Sequence, residues 1–428
     1  MQNLIDFISF SDPNVRYVVL GNVLLAASAA MVGAFILLQK KALVGDAVSH
    51  AVLPGVCAAF LFSGSKNTAL MLIGAFVSGW LALITIDYIA AKSKIKKDAA
   101  IGLVLSVFFG TGMVMMTYIQ QSGNAAQSGL DHFIFGNAAT LVGADLVVFS
   151  ILAAVLLLAV GVFFKAFALV AFDKPYAEAL GYPVRRLDLL LTSLTVLAVV
   201  TGITAVGVVL MAAMLVTPAA AARYWTDNIR RMVGIAVAFG VFAGLSGAYI
   251  SYVAPAMPTG PWMVVVSSAI AFFSFFFAPR KGIVPRMYMQ RKNQRVIVEE
   301  NTLKMFYHLG ERNSHFDGMR SLDELASTRE VNKALLKTAL RRLVAKGLLA
   351  SRDGQWALTD AGHQKAMRVV RLHRLWELYL TKYMDIASDH VHDDAETIEH
   401  ILTPELEREL EHQLGYPDKD PHDTEIPK

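Results

Sequence analysis

The sequence predicts an all-α polytopic membrane domain with eight or nine transmembrane helices, followed by a module that contains a winged helix and further helices. Only 17% of the residues are charged, whereas soluble globular domains average about 25%. Long apolar stretches fill residues 17–278, and residues 280–428 have the charge spacing of a soluble protein. The predicted domains are 1–280 (membrane), 281–300 (basic linker), 301–370 (winged helix) and 371–428 (helical).

The membrane domain is predicted from the lengths of its apolar stretches. About twenty apolar residues are needed to cross a hydrocarbon core roughly 30 Å thick. The sixth and seventh stretches are separated only by a tight corner at Thr204–Gly207, which makes the count eight or nine. The predicted spans are about 17–38, 47–64, 68–90, 99–119, 143–169, 187–205, 207–222, 232–254 and 261–278.

The orientation in the membrane follows from the distribution of Lys and Arg, which favour cytoplasmic loops. The basic loops lie on alternate sides of the span count, and nearly neutral loops lie between them. With nine spans the N-terminus is outside and the C-terminal module is cytoplasmic. We therefore predict a multi-pass membrane protein. The basic loops are QKKALVGD, AKSKIKKD, FDKPYAEALGYPVRR, RYWTDNIRRM and APRKGIVPRMYMQRK.

Two ionisable residues lie in the apolar stretch GDAVSHAVLPG. Asp46 and His50 are four residues apart and share one helical face. Ionisable residues within spans are costly and mark functional pathways by default, and carboxylate with imidazole suits Mn²⁺, Fe²⁺ or Zn²⁺. The alternative is that Asp46 caps the helix and His50 bonds a neighbouring carbonyl.

The sequence also excludes several kinds of chemistry. Nothing resembles GxxxxGK[ST], so this chain has no P-loop for nucleotide phosphates. The single cysteine, Cys57, excludes a disulfide framework and a thiolate metal cluster. We predict a transport subunit and not an enzyme. If ATP drives it, a separate subunit hydrolyses the ATP, and the short amphipathic loop at 173–181 is typical of a docking helix.

Four motifs in the same order resemble the manganese/zinc/iron ABC transporter permease family (ABC-3 type). They are GDAVSHAVLPG, FDKPYAEALGYPVRRLD, VGVVLMAAMLVTPAAAARYW and APAMPTGPWMVV, and the resemblance covers roughly residues 15–280. It implies import of Mn²⁺, Fe²⁺ or Zn²⁺, with no nucleotide on this chain. The implied partners are an ABC ATPase subunit, an extracytoplasmic metal-binding protein and a second permease copy or paralogue.

The same resemblance implies roles for individual residues. Asp46 and His50 match the positions that are proposed to contact the ion in transit. The segment with Asp173, Ala177 and Gly181 matches the coupling helix, which meets the ATPase.

The second module begins with the pattern of a winged helix. Ser321 and Glu324 form a capping box, and Asp353-Gly354 predicts the turn of a two-strand wing. The basic helix between them is where a DNA reader would lie, although winged helices also dock proteins. Its predicted apolar face consists of Leu335, Leu336, Leu340, Leu343 and Leu348.

The stretch DHVHDDAETIEH, residues 389–400, is rich in possible metal ligands. A helix would place four of them on one stripe, and His373 and Glu377 share a face of an earlier helix. Carboxylates with imidazole and no thiolate favour Mn²⁺ or Fe²⁺, with Zn²⁺ possible. The alternative is a charged, solvated face. The four residues of the stripe are His392, Glu396, Glu399 and His400.

Residues 298–428 resemble the iron- and manganese-dependent repressor family, which is diphtheria-toxin-repressor-like. The resemblance implies one metal position at His373, Glu377 and His392 and another at Glu396, Glu399 and His400. The family's first helix usually supplies further ligands, but Asn301 and Lys304 stand there in this chain. A protonated lysine cannot ligate a metal, so the link between metal binding and the first helix is predicted to be weakened.

The sequence thus favours an ATP-driven metal importer subunit whose cytoplasmic tail senses the metal. One alternative is a membrane-tethered, metal-dependent transcription regulator that uses the winged helix on DNA. The other is a proton-driven metal transporter, for which Asp46 is the only strong intramembrane carboxylate.

Overall fold

The computed structural model describes most of the chain as two compact units, Met1–Pro285 and Arg286–Lys428. The described residues are 6–7, 9–10, 13–64, 67–121, 136, 143–254, 257–328, 332–384 and 404–427.

The first unit is a bundle of helices joined by short connections. Its helices are α1 (Pro13–Leu38), α2 (Ala42–Ala51), α3 (Leu53–Ser63), α4 (Thr68–Lys92), α5 (Lys97–Gln121), α6 (Gly143–Val162), α7 (Phe164–Phe172), α8 (Lys174–Ala179), α9 (Val184–Val206), α10 (Val208–Trp225), α11 (Ile229–Val253) and α12 (Thr259–Phe277).

The described helices confirm a polytopic membrane fold. Seven described segments are long and apolar enough to cross a membrane, counting α2 and α3 together as Ala42–Ser63, and the number is eight if the bent pair α6–α7 forms one span. The segment predicted as a span at about 207–222 forms the helix α10, which is not among these seven described segments. The predicted corner before it is a single break at Gly207, whose φ of 94° lies where glycine is favoured.

The span predicted as continuous over 143–169 is two helices. The chain bends by 65° between α6 and α7, at Phe163, whose φ of −89° and ψ of 9° depart from helical values. Beyond the bend, the rings of Phe164 and Phe167 lie 5.4 and 5.8 Å from that of Phe35 in α1. Aromatic packing against α1 therefore accompanies the bend and stabilises it.

The motif GDAVSHAVLPG forms α2 and the start of α3. Pro54-Gly55 is typical of a broken helix, and the helix is interrupted at Val52, whose amide still bonds the Val48 carbonyl at 3.1 Å. At Gly55, α3 crosses α4 backbone to backbone, because an added Cβ would lie 2.0 Å from the Gly74 carbonyl oxygen. Small residues that let helix backbones approach are a main source of helix association in membranes.

The second unit contains α13 (Ile283–Asn313), α14 (Leu322–Thr328), α15 (Lys333–Ala345), β1 (Leu349–Arg352), β2 (Gln355–Leu358), α16 (Asp360–Met384) and α17 (Pro404–Leu414). Most of the residues predicted as a linker, 281–300, lie inside the helix α13.

The strands and the helices before them form the predicted winged helix. β1 and β2 pair antiparallel and turn at Asp353-Gly354, where both φ angles are positive. The Ser321 hydroxyl accepts a hydrogen bond from the Glu324 amide at 3.2 Å, as the capping box predicts. The predicted apolar face of α15 was wrong at one position, because Leu335 is 56% exposed while Leu336 is fully buried.

The C-terminal segment is held against α16 by a buried arginine. Arg374 is 4% exposed and donates two hydrogen bonds to the Glu311 carboxylate of α13, at 2.8 and 3.0 Å. It also donates to the Glu425 carbonyl at 2.5 Å, and its Nε lies 3.6 Å from the buried Asp420 carboxylate. One guanidinium thus joins α13, α16 and the last residues of the described chain.

We predict that Gly55→Ala lowers the melting temperature of the purified chain. The new methyl group must displace the Gly74 backbone, and overpacking of this kind costs about 1–3 kcal/mol. The matched control is Gly102→Ala, because nothing lies within 4 Å of a Cβ added there. Equal melting temperatures for the two variants in detergent would contradict the packing argument.

We predict that Arg374→Met loosens the C-terminal segment. Removing one partner from a buried ion pair costs roughly 3 kcal/mol, and here the Asp420 carboxylate would lose its charge partner. Hydrogen exchange of the full chain should show faster exchange at residues 418–426. Arg368→Met is the control, because the 2.8 Å pair of Arg368 with Glu407 is half exposed on the arginine side. Unchanged exchange at 418–426 in Arg374→Met would be the contrary result.

Candidate functional site

The structure brings Asp46 and His50 together on α2, as their spacing predicts. Oδ1 of Asp46 lies 3.7 Å from Nε2 of His50. The aspartate side chain is 49% exposed and the histidine 20%. A carboxylate oxygen and an imidazole nitrogen at this separation face the same space and can bind one cation together.

The surroundings of His50 leave its Nε2 facing Asp46. Its ring packs edge-on against Phe109 of α5, with 5.0 Å between the ring centres. Its Nδ1 is buried and has no hydrogen-bond partner among the described residues. Nδ1 of His50 thus makes no hydrogen bond to a neighbouring carbonyl among the described residues.

Neighbouring α2 residues do not add to the pair. The Ser49 hydroxyl donates to the carbonyl of Gly45, one turn earlier in the same helix, at 2.9 Å. Within the described ranges, no group of three or more His, Cys, Asp or Glu side chains could hold a metal ion. The pair is thus an open, two-ligand arrangement and not a closed cage.

The predicted coupling segment forms the short helix α8. The Asp173 carboxylate caps it by accepting the Tyr176 amide at 2.9 Å. Ala177 is fully buried and belongs to the core of the first unit. Gly181 follows the helix with a φ of 81°. These three residues shape the segment and anchor it.

The surface that α8 presents to solvent comes from residues that the sequence reasoning did not select. Tyr176 is 55% exposed and Leu180 is 54% exposed. Leu180 is the C-cap residue of α8 and follows Tyr176 by four residues, about one helical turn. The spacing of four residues between Tyr176 and Leu180, beside Ala177, is the sequence pattern that could have indicated this candidate docking surface.

In the second unit, α16 brings together two of the six predicted tail ligands. His373 and Glu377 are almost completely buried, and Nε2 of His373 lies 3.0 Å from Oε1 of Glu377. The other four predicted ligands, which are His392, Glu396, Glu399 and His400, lie outside the described residues.

The first helix of the unit, α13, carries the two residues that depart from the repressor pattern. Lys304 is 5% exposed. Oδ1 of Asn301 is buried without a hydrogen-bond partner among the described residues, and an amide oxygen is a ligand type that Mn²⁺ accepts. The pKa of His308 is lowered by burial and by the nearby charge of Lys304. The charged side chain of Lys304 thus lies close enough to His308 to affect it.

Comparison with known proteins assigns both units. The ABC 3 transport family matches residues 11–278. A second family, described as the metal binding and dimerisation domain of the iron dependent repressor, matches residues 359–428. The chain is 40% identical over 383 residues to the manganese transport system membrane protein MntC of Bacillus subtilis, covering 89% of this chain and 87% of that protein.

Two further similarities concern the membrane unit. The zinc transport system membrane protein TroC of Treponema pallidum is 39% identical over 283 residues, covering 66% of this chain and 95% of that protein. The solved structure of PsaBC from Streptococcus pneumoniae in complex with a Fab matches with a TM-score of 0.59 and 33% identity. That match covers 68% of this chain and 99% of the other. The chain therefore belongs to the ABC 3 transport family and carries a repressor-like metal-binding and dimerisation domain at its C-terminal end.

Proposed function

We propose that the chain is the membrane-spanning subunit of an ATP-driven importer for divalent transition metal ions, Mn²⁺ or Zn²⁺ and by extension Fe²⁺. The relatives named above are called manganese and zinc transport proteins. The observation that carries the proposal is the Asp46–His50 pair, because it offers two ligands of the kind these ions prefer on a membrane helix.

The small number of ligands suits transit. A closed cage of four or more protein ligands holds a metal as a structural element, whereas an ion that must leave again needs fewer contacts. With 3.7 Å between its two ligand atoms, the pair can share an ion whose remaining coordination positions are filled by water or backbone oxygens.

The proposed partners follow from the missing P-loop and from the exposed side chains of Tyr176 and Leu180. Its sequence contains no P-loop, so a separate ABC ATPase would bind the nucleotide on the cytoplasmic side and dock at Tyr176 and Leu180. An extracytoplasmic protein would deliver the ion. A second permease copy or paralogue would complete the pathway in the bacterial inner membrane.

The C-terminal unit is proposed to lie in the cytoplasm and to sense the imported metal. Its metal-binding and dimerisation match and the buried His373–Glu377 pair support this. The metal would bind at His373, Glu377 and His392 or at the second position formed by Glu396, Glu399 and His400, and the loaded tail would inhibit transport. A regulatory ion at this place would limit import when the cytosol is replete.

We predict that Asp46→Ala and His50→Ala each lower ATP-driven Mn²⁺ uptake. The loss should be roughly tenfold, the equivalent of about 1.4 kcal/mol of binding free energy. The measurement is uptake into proteoliposomes that contain the chain and its ATPase subunit. Ser49→Ala is the matched control, because its hydroxyl bonds only within α2.

Two outcomes would contradict the proposed function. One is normal uptake of Mn²⁺, Zn²⁺ and Fe²⁺ by both variants. The other is uptake that proceeds without ATP and follows a proton gradient, which would favour the proton-driven alternative.

We predict that the double variant His392→Ala/His400→Ala accumulates more Mn²⁺ than the wild type in metal-replete cells, and the same amount in metal-depleted cells. The loss of one ligand from each predicted tail position removes the inhibitory ion. Deleting residues 298–428 should have the same effect. His412→Ala is the control, since His412 is exposed on α17 and outside both predicted positions.

Accumulation equal to the wild type at every metal level would contradict the sensing role. Sequence-specific DNA binding by the tail, with a steep dependence on salt, would instead favour a membrane-tethered regulator. Lys333 of α15 pairs with Asp323 at 2.7 Å, and Lys346, the C-cap residue of α15, pairs with Glu299. Part of the basic surface that DNA binding needs is therefore already paired with carboxylates.

A further inference from the structure

Two lysines from separate parts of the first unit meet at one carboxylate. Asp188 lies in the first turns of α9, and its Oδ2 accepts a hydrogen bond from Nζ of Lys174 at 2.5 Å. Its Oδ1 lies 3.6 Å from Nζ of Lys41. The two oxygens of one side chain therefore face two different cations.

The two lysines belong to the two elements that matter most for transport. Lys174 is the first residue of α8, the predicted coupling helix, directly after the Asp173 cap. Lys41 is the residue immediately before α2 and occupies its N-cap position. From Lys41 to Asp46 is five residues, or about 7.5 Å along a helix. Asp188 is thus linked to α8, where the ATPase is proposed to dock, and to α2, which carries Asp46 and His50.

Two of the three side chains in the cluster are sheltered from solvent, and that of Lys174 is 44% exposed. The side chains of Lys41 and Asp188 are 18% and 25% exposed. Burial lowers the pKa of Lys41, and the charge of Asp188 opposes that change. Without the carboxylate, two like charges would remain on α8 and before α2, and their repulsion would separate these elements.

We propose that Asp188 is a positioning residue that transmits movement of α8 to α2, so that nucleotide-driven motion of the ATPase changes access to Asp46 and His50. This inference rests on the proposed transport function. It makes Asp188, Lys41 and Lys174 a mechanical link whose loss uncouples ATP hydrolysis from metal movement. The chemistry at Asp46 and His50 itself is unchanged by this link.

The test is the amount of Mn²⁺ taken up per ATP hydrolysed in proteoliposomes that contain the full chain and its ATPase subunit. Asp188→Asn keeps the shape of the side chain and removes its charge. It should lower that ratio about fivefold or more, the lower end of typical coupling between sites. Asp188→Glu should retain a ratio near that of the wild type, because it keeps the charge that holds both lysines.

Asp227→Asn is the matched control, because Asp227 pairs with Lys281 in a similar way outside α8 and α2. A purely structural role for Asp188 would reduce the yield of the assembled complex and leave the ratio of the surviving complex unchanged. A normal ratio in assembled Asp188→Asn complexes would therefore overturn the inference. If that variant does not assemble, Lys41→Met and Lys174→Met take its place, and normal ratios in both overturn it.

The result also separates this inference from the proposed function. If the wild-type complex moves no Mn²⁺ with ATP, the transport proposal fails. If the wild type transports and Asp188→Asn transports equally well per ATP, only the coupling role fails.

Discussion

The close approach of helix backbones around α2 and α3 is the constraint on which the first unit depends. Leu215 of α10 fits against two glycines, since a Cβ at Gly33 would lie 1.8 Å from its carbonyl oxygen and one at Gly45 would lie 2.8 Å from its side chain. Gly55 and Gly74 make a similar contact on the other end of this helix pair. In lipid, where helices gain little from burying apolar surface, such packing fixes their positions.

This packing has a direct consequence for the site. Because Gly45 is in contact with α10, its neighbour Asp46 is held at a defined place, and His50 follows one turn later on the same face. The helix cannot drift sideways without opening the glycine contacts. Movement of α2 therefore has to be driven, and the ion pairs at its N-terminal end, from Lys41 to Asp188 and from Asp188 to Lys174, connect it to a surface helix.

The features that sequence predicted well are those set by local chemistry. The capping at Ser321, the turn at Asp353-Gly354 and the corner at Gly207 depend on neighbouring residues and are all present. The 65° bend between α6 and α7 was not predicted, and the aromatic packing that accompanies it involves Phe35, more than 120 positions earlier in the chain. The exposure of Leu335 was missed because a wide apolar stripe on a short helix exceeds the surface its neighbours cover.

The candidate site shows the same contrast between features set by neighbouring residues and features that depend on distant ones. The spacing of Asp46 and His50 was enough to predict that they share a helical face, and likewise for His373 and Glu377. Asp188 escaped notice because its partners are 147 and 14 positions away, and no local pattern connects residues 41, 174 and 188. The exposed pair Tyr176 and Leu180 could have been found from its helical spacing beside the buried Ala177.

The most direct test of the central claim is pulsed electron paramagnetic resonance of Mn²⁺ bound to the full complex in nanodiscs. The tail is silenced by replacing His373, His392 and His400 with alanine. If the ion is held by Asp46 and His50, the signal should show coupling to an imidazole nitrogen, and His50→Ala should remove it. No nitrogen coupling in the tail-silenced complex, or coupling that survives His50→Ala, would contradict the claim that metal passes through this pair.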